Sequence, residues 1–258
     1  MDKKTVQRMI DHVVATVEVA PRSDDPFLHL TFSGIFPNDV YAAMLEAMPS
    51  SNDYRALPGR GGSNLRADGS STRVKVDLLP EYIRHFPREK RPIWQDVGKA
   101  LCSAPVRDAF IDRLAPGLEH RFGPDYSRVG MYPIPVLMRD IPGYRIKAHT
   151  DTLWKGITVQ IYLPRDDAWS DIGTIFHRRE NGKFKRSKQM RFAPNSGYAF
   201  AVTDRNWHSA DPVHDRVTTR DSILLTYFVD QGALRVLRNR TKRIGNFILN
   251  EVRNVAQR

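Results

Sequence analysis

The chain predicts an α+β domain in which helices come first and a small antiparallel barrel or sandwich follows. Three observations carry this. From Pro92 to His120 the apolar residues fall at helical intervals, whereas from Pro124 to Asp230 almost every apolar stretch is short and alternating. These short stretches are separated by turn residues, with Asn181-Gly182 between Phe176 and Phe184 as the sharpest hairpin signal. No internal repeat and no clear linker interrupts the chain, so its 258 residues read as one domain.

In order, Val6, Met9, Ile10, Val13, Val14 and Val17 predict a first helix, and Pro26 to Ser33 alternates like a strand. An amphipathic helix follows from about Asp39 to Met48, stopped by Pro49. Asn52 to Ser71, rich in Gly, Ser, Arg and Asp, reads as a long loop and a candidate lid. Thr72 to Leu78 alternates again. Two helices are expected between Pro92 and His120, broken near Ser103-Ala104-Pro105. Strands are expected at Arg128–Met138, Tyr144–His149, Ile157–Leu163, Gly173–His177, Gln189–Phe192, Tyr198–Val202 and Ile223–Val229. The stretch from Leu234 reads as a basic helical tail. The expected division is therefore 1–124 for helical support and lid, 125–230 for the strand core and 231–258 for the tail.

No run of about 18 apolar residues exists, so no transmembrane helix is expected. The polar start Met1-Asp2-Lys3-Lys4 leads into no apolar signal segment. The single cysteine, Cys102, rules out an internal disulfide framework and fits the cytoplasm. The net charge of +11 is concentrated in two places. Arg178 to Arg191 holds seven basic residues against Glu180, and Gly232 to Arg258 holds seven against Glu251. Each patch reads either as a docking surface for an anionic partner or as a solvated face.

Chemistry concentrates around Ala148-His149-Thr150-Asp151-Thr152. An imidazole and a carboxylate two residues apart share one face of an extended strand. A second imidazole from a distant strand would complete a facial set of two histidines and one carboxylate, the arrangement that holds Fe(II) and leaves its opposite side open. Downstream, His177, His208 and His214 are the candidates for that third position. His208 stands near a strand start, after the apolar run Gly197 to Val202. Twelve residues beyond it comes Arg220, and alternation puts Arg220, Ser222 and Leu224 on one face.

With these residues the chain resembles the iron- and 2-oxoglutarate-dependent oxygenases, in particular their prolyl-4-hydroxylase-like branch. That family's pattern is H-x-D, a distal histidine and then a basic residue within an R-x-S sequence. Here these are His149, Asp151, His208, Arg220 and Ser222. Pro142 to His149, Ile157 to Leu163, Gly173-Thr174, Phe192 to Gly197 and His208 to Val213 extend the match over roughly Asp125 to Asp230.

The resemblance implies a double-stranded β-helix core of the jelly-roll or cupin-like kind, with buttressing N-terminal helices and a C-terminal helix. It implies Fe(II) on His149, Asp151 and His208, with 2-oxoglutarate and O2 as cosubstrates and ascorbate as a supporting reductant. The distal carboxylate of 2-oxoglutarate would meet Arg220 and Ser222, assisted by Tyr162, which should face inward with Thr158 and Gln160. The implied reaction decarboxylates 2-oxoglutarate to succinate and CO2 and hydroxylates a substrate C–H bond. Halogenating relatives replace the carboxylate ligand with a small residue, so Asp151 points to hydroxylation. Desaturation or ring formation would use the same ligands.

One departure concerns Leu137-Met138-Arg139-Asp140, where the family often has an aromatic residue against the cosubstrate. It leaves Arg139 as a candidate substrate contact. Strand parity adds Arg145 and Lys147 on the His149 side, and Trp207 adjoins a ligand, although packing is its commoner role. The expected substrate is a small molecule such as an amino acid, a sugar derivative or a biosynthetic intermediate, and an anionic one suits these residues. A protein or nucleic acid docked on the basic patches is the alternative with the same chemistry, and would show steep salt dependence. A non-catalytic binding barrel and a cupin-type enzyme that needs no 2-oxoglutarate are alternatives from other classes.

Overall fold

The computed structural model describes residues 3–230. The expected basic tail from Leu234 lies outside the described residues. Helix α1 (Lys3–Glu18) opens the chain and is followed by β1 (Arg22–Ser23), β2 (His29–Ser33) and α2 (Asn38–Glu46). Next come β3 (Arg55–Ala56), β4 (Arg73–Asp77), and the helices α3 (Pro80–Ile83), α4 (Arg91–Leu101), α5 (Ala104–Arg113) and α6 (Ala115–Phe122). The remainder is strand: β5 (Met131–Asp140), β6 (Ile146–His149), β7 (Lys155–Tyr162), β8 (Ile175–Glu180), β9 (Lys183–Gln189), β10 (Ser196–Ala201), β11 (His208–Ala210) and β12 (Arg220–Val229).

Among the described residues these strands form two antiparallel sheets. The larger has the order β1-β2-β10-β7-β12-β5-β4-β3, and the smaller β6-β11-β8-β9. This is the double-stranded β-helix that the resemblance implies. The larger sheet takes strands from both sides of residue 124, since β1 to β4 join it at its two edges. Alternation gives its faces different fates. On β12, Ile223, Leu225 and Tyr227 bury themselves in a core with α1, α4 and α5, through Met9, Val13, Trp94, Val97 and Phe110. The intervening Arg220, Ser222, Leu224, Thr226 and Phe228 face a cavity between the sheets.

Several sequence expectations need adjustment. The stretch Pro92 to His120 holds three helices, because Leu114 closes α5 and also opens α6, whose first turn contains Pro116. Proline lacks the N–H that the first turn leaves unpaired, so it starts helices readily, and Pro80, Pro92 and Pro105 do the same for α3, α4 and α5. The expected loop Asn52 to Ser71 contains β3, which pairs with β4. The hairpin arm after Asn181-Gly182 is β9, not Gln189–Phe192. Its side chains are almost all exposed and polar, so no apolar alternation announces it. The turn itself is as expected: both residues have positive φ (49° and 76°), which asparagine and glycine tolerate best.

Candidate active site

Strand β11 pairs with β6 so that His208 lies opposite His149, with ring centroids 4.3 Å apart. Asp151 follows β6 by two residues. Ligand atoms of His149, Asp151 and His208 all lie within 4.8 Å of one another. The two imidazoles are oriented the same way. His149 Nδ1 lies 3.0 Å from the Lys147 carbonyl, and His208 Nδ1 lies 2.8 Å from the Asn206 carbonyl. A carbonyl only accepts, so each Nδ1 carries a proton, and in the neutral tautomer it is Nε2 that offers its lone pair. Burial pushes His208 down to about 4, against the pull of Asp151, so it is neutral at physiological pH.

Asp151 is held from two sides. Lys155 Nζ donates to Oδ1 and Thr158 Oγ1 to Oδ2, both at 2.6 Å. Burial works to raise its pKa, but the charge of Lys155 and these two hydrogen bonds bring it well below the ordinary value. The helical half contributes too. Arg121 on α6 donates to the carbonyls of Leu153, Lys155 and Val202, fixing the loop that follows Asp151. Neither Lys155 nor Arg121 belongs to a recognisable motif, and sequence reasoning missed both.

His149, Asp151, Lys155 and His208 line a cavity of about 560 Å³ whose wall also includes Thr158, Gln160, Tyr162, Arg220, Ser222 and Leu224. Tyr162, Thr158 and Gln160 thus share the inward face, as do Arg220, Ser222 and Leu224. The Tyr162 hydroxyl donates to Thr174 Oγ1 at 3.0 Å and accepts the Thr174 N–H. Arg220 is buried and partly committed. Its Nε and Nη2 both donate to Asp140 Oδ2, at 3.2 and 3.0 Å, and its Nη1 donates to the Ile172 carbonyl. Asp140 is shared with Arg73 on β4, whose Nε and Nη2 reach it at 2.5 and 2.9 Å. The Arg73 guanidinium stacks 3.9 Å above the Tyr144 ring. Burial tends to raise Asp140, but the two guanidiniums hold it below the ordinary carboxylate range. Two cations share one carboxylate, leaving a net charge of +1. Asp140 occupies the stretch where the expected aromatic residue is missing, and Arg73 was not among the sequence candidates. The signal for it was present: Arg73, Lys75 and Asp77 alternate with Val74 and Val76, so one face of this strand is wholly charged.

The candidate substrate contacts lie elsewhere. Arg139 points to the opposite face of β5, where it donates to Asp221 at 2.7 Å and covers Tyr54. Trp207 packs on Phe184 beneath Arg179, outside the cavity wall. Arg145 and Lys147 are exposed, while Ile146 and His149 line the cavity. A register irregularity explains this: His208 and Ala210, two apart, pair with His149 and Ile146, three apart, so the extra residue reverses the parity of β6. Of the other histidines, His177 is hydrogen-bonded to Ser209 and His214 is exposed on a turn. In the basic hairpin, Arg178, Arg186 and Arg191 pair with Asp25, Asp211 and Asp167. No helix among the described residues is long and apolar enough to cross a membrane.

No protein-family model and no curated protein matches the chain. Solved structures do. A prolyl 4-hydroxylase from Phytophthora capsici superposes with a TM-score of 0.54 at 12% identity, covering 90% of this chain and 68% of that one. A prolyl hydroxylase from Trichoplax adhaerens, in complex with a hypoxia-inducible-factor peptide fragment, superposes with a TM-score of 0.51 at 13% identity, covering 87% and 91%. The chain thus shares the fold of the prolyl hydroxylases, on a sequence that has little else in common with these two.

Proposed function

We propose that this chain is an Fe(II)- and 2-oxoglutarate-dependent oxygenase that hydroxylates a C–H bond of a small molecule. The observation that carries the reading is a single cavity containing a His149–Asp151–His208 donor set together with a buried arginine, Arg220. Two imidazoles with Nδ1 turned to a carbonyl and one carboxylate suit a first-row divalent metal such as Fe(II), and three ligands leave room for others. When bound, the iron supplies oxygen activation coupled to decarboxylation of 2-oxoglutarate to succinate and CO2.

The chain's own residues would do the rest. Nε2 of His149 and of His208 would bind the ion with one oxygen of Asp151, and the carbonyls at Lys147 and Asn206 keep both rings in the binding tautomer. Arg220, with the surplus charge it shares with Arg73, would bind the distal carboxylate, and Ser222 would add a hydrogen bond. Tyr162 would hold the same region through its contacts with Thr174. A small substrate suits a cavity of this size, since single-ligand pockets span roughly 300–1,000 Å³. A macromolecular substrate would use the basic patches, and the pairing of Arg178 and Arg186 on the β8–β9 hairpin, and of Arg191 just beyond it, favours the solvated reading of that arm.

The test is succinate formation from 2-oxoglutarate by protein loaded anaerobically with Fe(II) and then exposed to oxygen, beside His149→Ala. Succinate that requires both iron and His149 is expected. No succinate, together with no iron-dependent binding of 2-oxoglutarate, would sink the reading and favour a binding barrel.

A further inference from the structure

A second charged cluster faces the cavity next to Arg73 and is used by none of the roles above. Arg55 on β3 lies opposite Lys75 on β4, and both line the cavity with Asp77. Lys75 Nζ donates to Asp77 Oδ1 at 3.0 Å, Arg55 pairs with the same carboxylate, and the Arg55 guanidinium lies 4.8 Å from the Tyr82 ring centre. The side chains of Arg55, Lys75 and Asp77 are only 25%, 22% and 8% exposed. Two cations again share one carboxylate in a place largely shielded from water. Such a surplus is costly unless an anion answers it. Among the described residues, nothing accepts a hydrogen bond from the buried Arg55 Nε. Burial and the Arg55 charge bring Lys75 down to about 8, so it still carries its proton at neutral pH.

Among the described residues, the charges elsewhere in the cavity are accounted for. Asp151 and Lys155 neutralise each other. The surplus of Arg73, Asp140 and Arg220 matches the distal carboxylate of 2-oxoglutarate. The Arg55–Lys75–Asp77 surplus remains, and one positive charge matches a carboxylate, whereas a phosphate monoester brings nearly two negative charges at neutral pH. The wall beside the cluster is apolar. Asp77 pairs across the sheet with Val136, Val136 with Leu224, and Leu224 with Gln160 on the strand whose Thr158 holds Asp151. Three strand spacings, roughly 14 Å of sheet, separate β4 from that strand.

We propose that Arg55 and Lys75 bind a carboxylate on the substrate, so that the enzyme acts on small carboxylic acids with an apolar body lying along Val136 and Leu224. The inference rests on the oxygenase reading for the word substrate, but the site itself is testable without turnover. Hexanoate and 3-phenylpropionate, each beside its neutral amide, would be titrated calorimetrically into the full chain saturated with Mn(II) and 2-oxoglutarate. At least one acid should bind tenfold or more tightly than its amide, and Lys75→Met should remove that preference while leaving 2-oxoglutarate affinity within twofold. Asp77→Asn should tighten acid binding, a gain that damage to the fold would not produce. Equal binding of both acids and their amides would overturn the proposal. So would a Lys75→Met variant that loses 2-oxoglutarate as strongly as the acid, since the cluster would then belong to the cosubstrate. If 2-oxoglutarate itself fails to bind, the oxygenase reading falls separately. The same titrations without metal or cosubstrate then decide the site, with a Lys75-dependent acid preference supporting it and no preference rejecting it.

Discussion

At the end of the cavity proposed to hold the metal, each side chain is oriented locally, although β6 and β11 pair to bring the two histidines together. His149 and His208 each take their orientation from the carbonyl two residues earlier, and Asp151 takes its from Lys155 and Thr158, four and seven residues later. At the arginine end the geometry is assembled across the sheet. Arg73, Asp140 and Arg220 come from β4, β5 and β12, and lie opposite one another only because three strands pair in register. One end presents lone pairs for a cation, with its carboxylate already neutralised. The other presents a surplus positive charge that three strands hold in place. A local construction should survive loss of its ligand groups with the fold intact, whereas a cross-strand ion network should not.

The largest expected effect tests that contrast directly. Asp140→Asn leaves two buried guanidiniums facing each other with no carboxylate between them. Breaking a buried pair in this way costs about 3–5 kcal/mol, and chemical denaturation of the metal-free protein should show it. Added 2-oxoglutarate should restore more stability to this variant than to the unmodified chain, because the anion supplies the missing charge. At the metal end, Asp151→Asn should lower Mn(II) affinity by about 100-fold, as read by paramagnetic relaxation or calorimetry, while stability falls less than in Asp140→Asn, because one cation rather than two loses its partner. A metal-end variant that unfolds, or an Asp140→Asn protein as stable as its parent, would erase the distinction.

The same contrast explains what could be read from the amino-acid order. His149, Asp151, His208, Arg220 and Ser222 carry their spacing in the chain, and strand parity was enough to turn Tyr162 and Ser222 toward one cavity. Parity failed on β6, where one extra residue reverses the faces of Arg145 and Lys147, because a bulge has no composition of its own. The partnership of Arg73 with Asp140 was hidden for a different reason. Sixty-seven residues separate them, and no local pattern says which edge of a sheet an early strand will join. The longer helices were legible from their period and boundaries from their prolines, but the one-turn α3 is too short to show a period, and the closeness of α5 and α6 concealed a break. The hairpin turn was plain, but its second arm, β9, exposes nearly all its side chains and so lacks the alternation that marks a strand.

Two smaller effects sharpen the account of the metal end. Arg121 lies far from Asp151 in sequence yet fixes the loop behind it, so that end is not wholly local. Arg121→Met should weaken Mn(II) binding by about tenfold, the usual scale for a residue that orients ligands. Lys155→Met should do the opposite. Its ammonium occupies Asp151 Oδ1 at 2.6 Å, where an incoming metal must compete, and its positive charge opposes a dication. The flexible lysine stem can swing the ammonium aside when the ion enters, which limits the gain to roughly three- to tenfold in Mn(II) affinity. Thr158 still holds the other oxygen, so the carboxylate keeps an anchor when Lys155 is gone. Weaker metal binding in Lys155→Met would mean that the lysine aligns Asp151 for the ion instead of competing with it, and the metal end would then depend on its charged neighbours as the arginine end does.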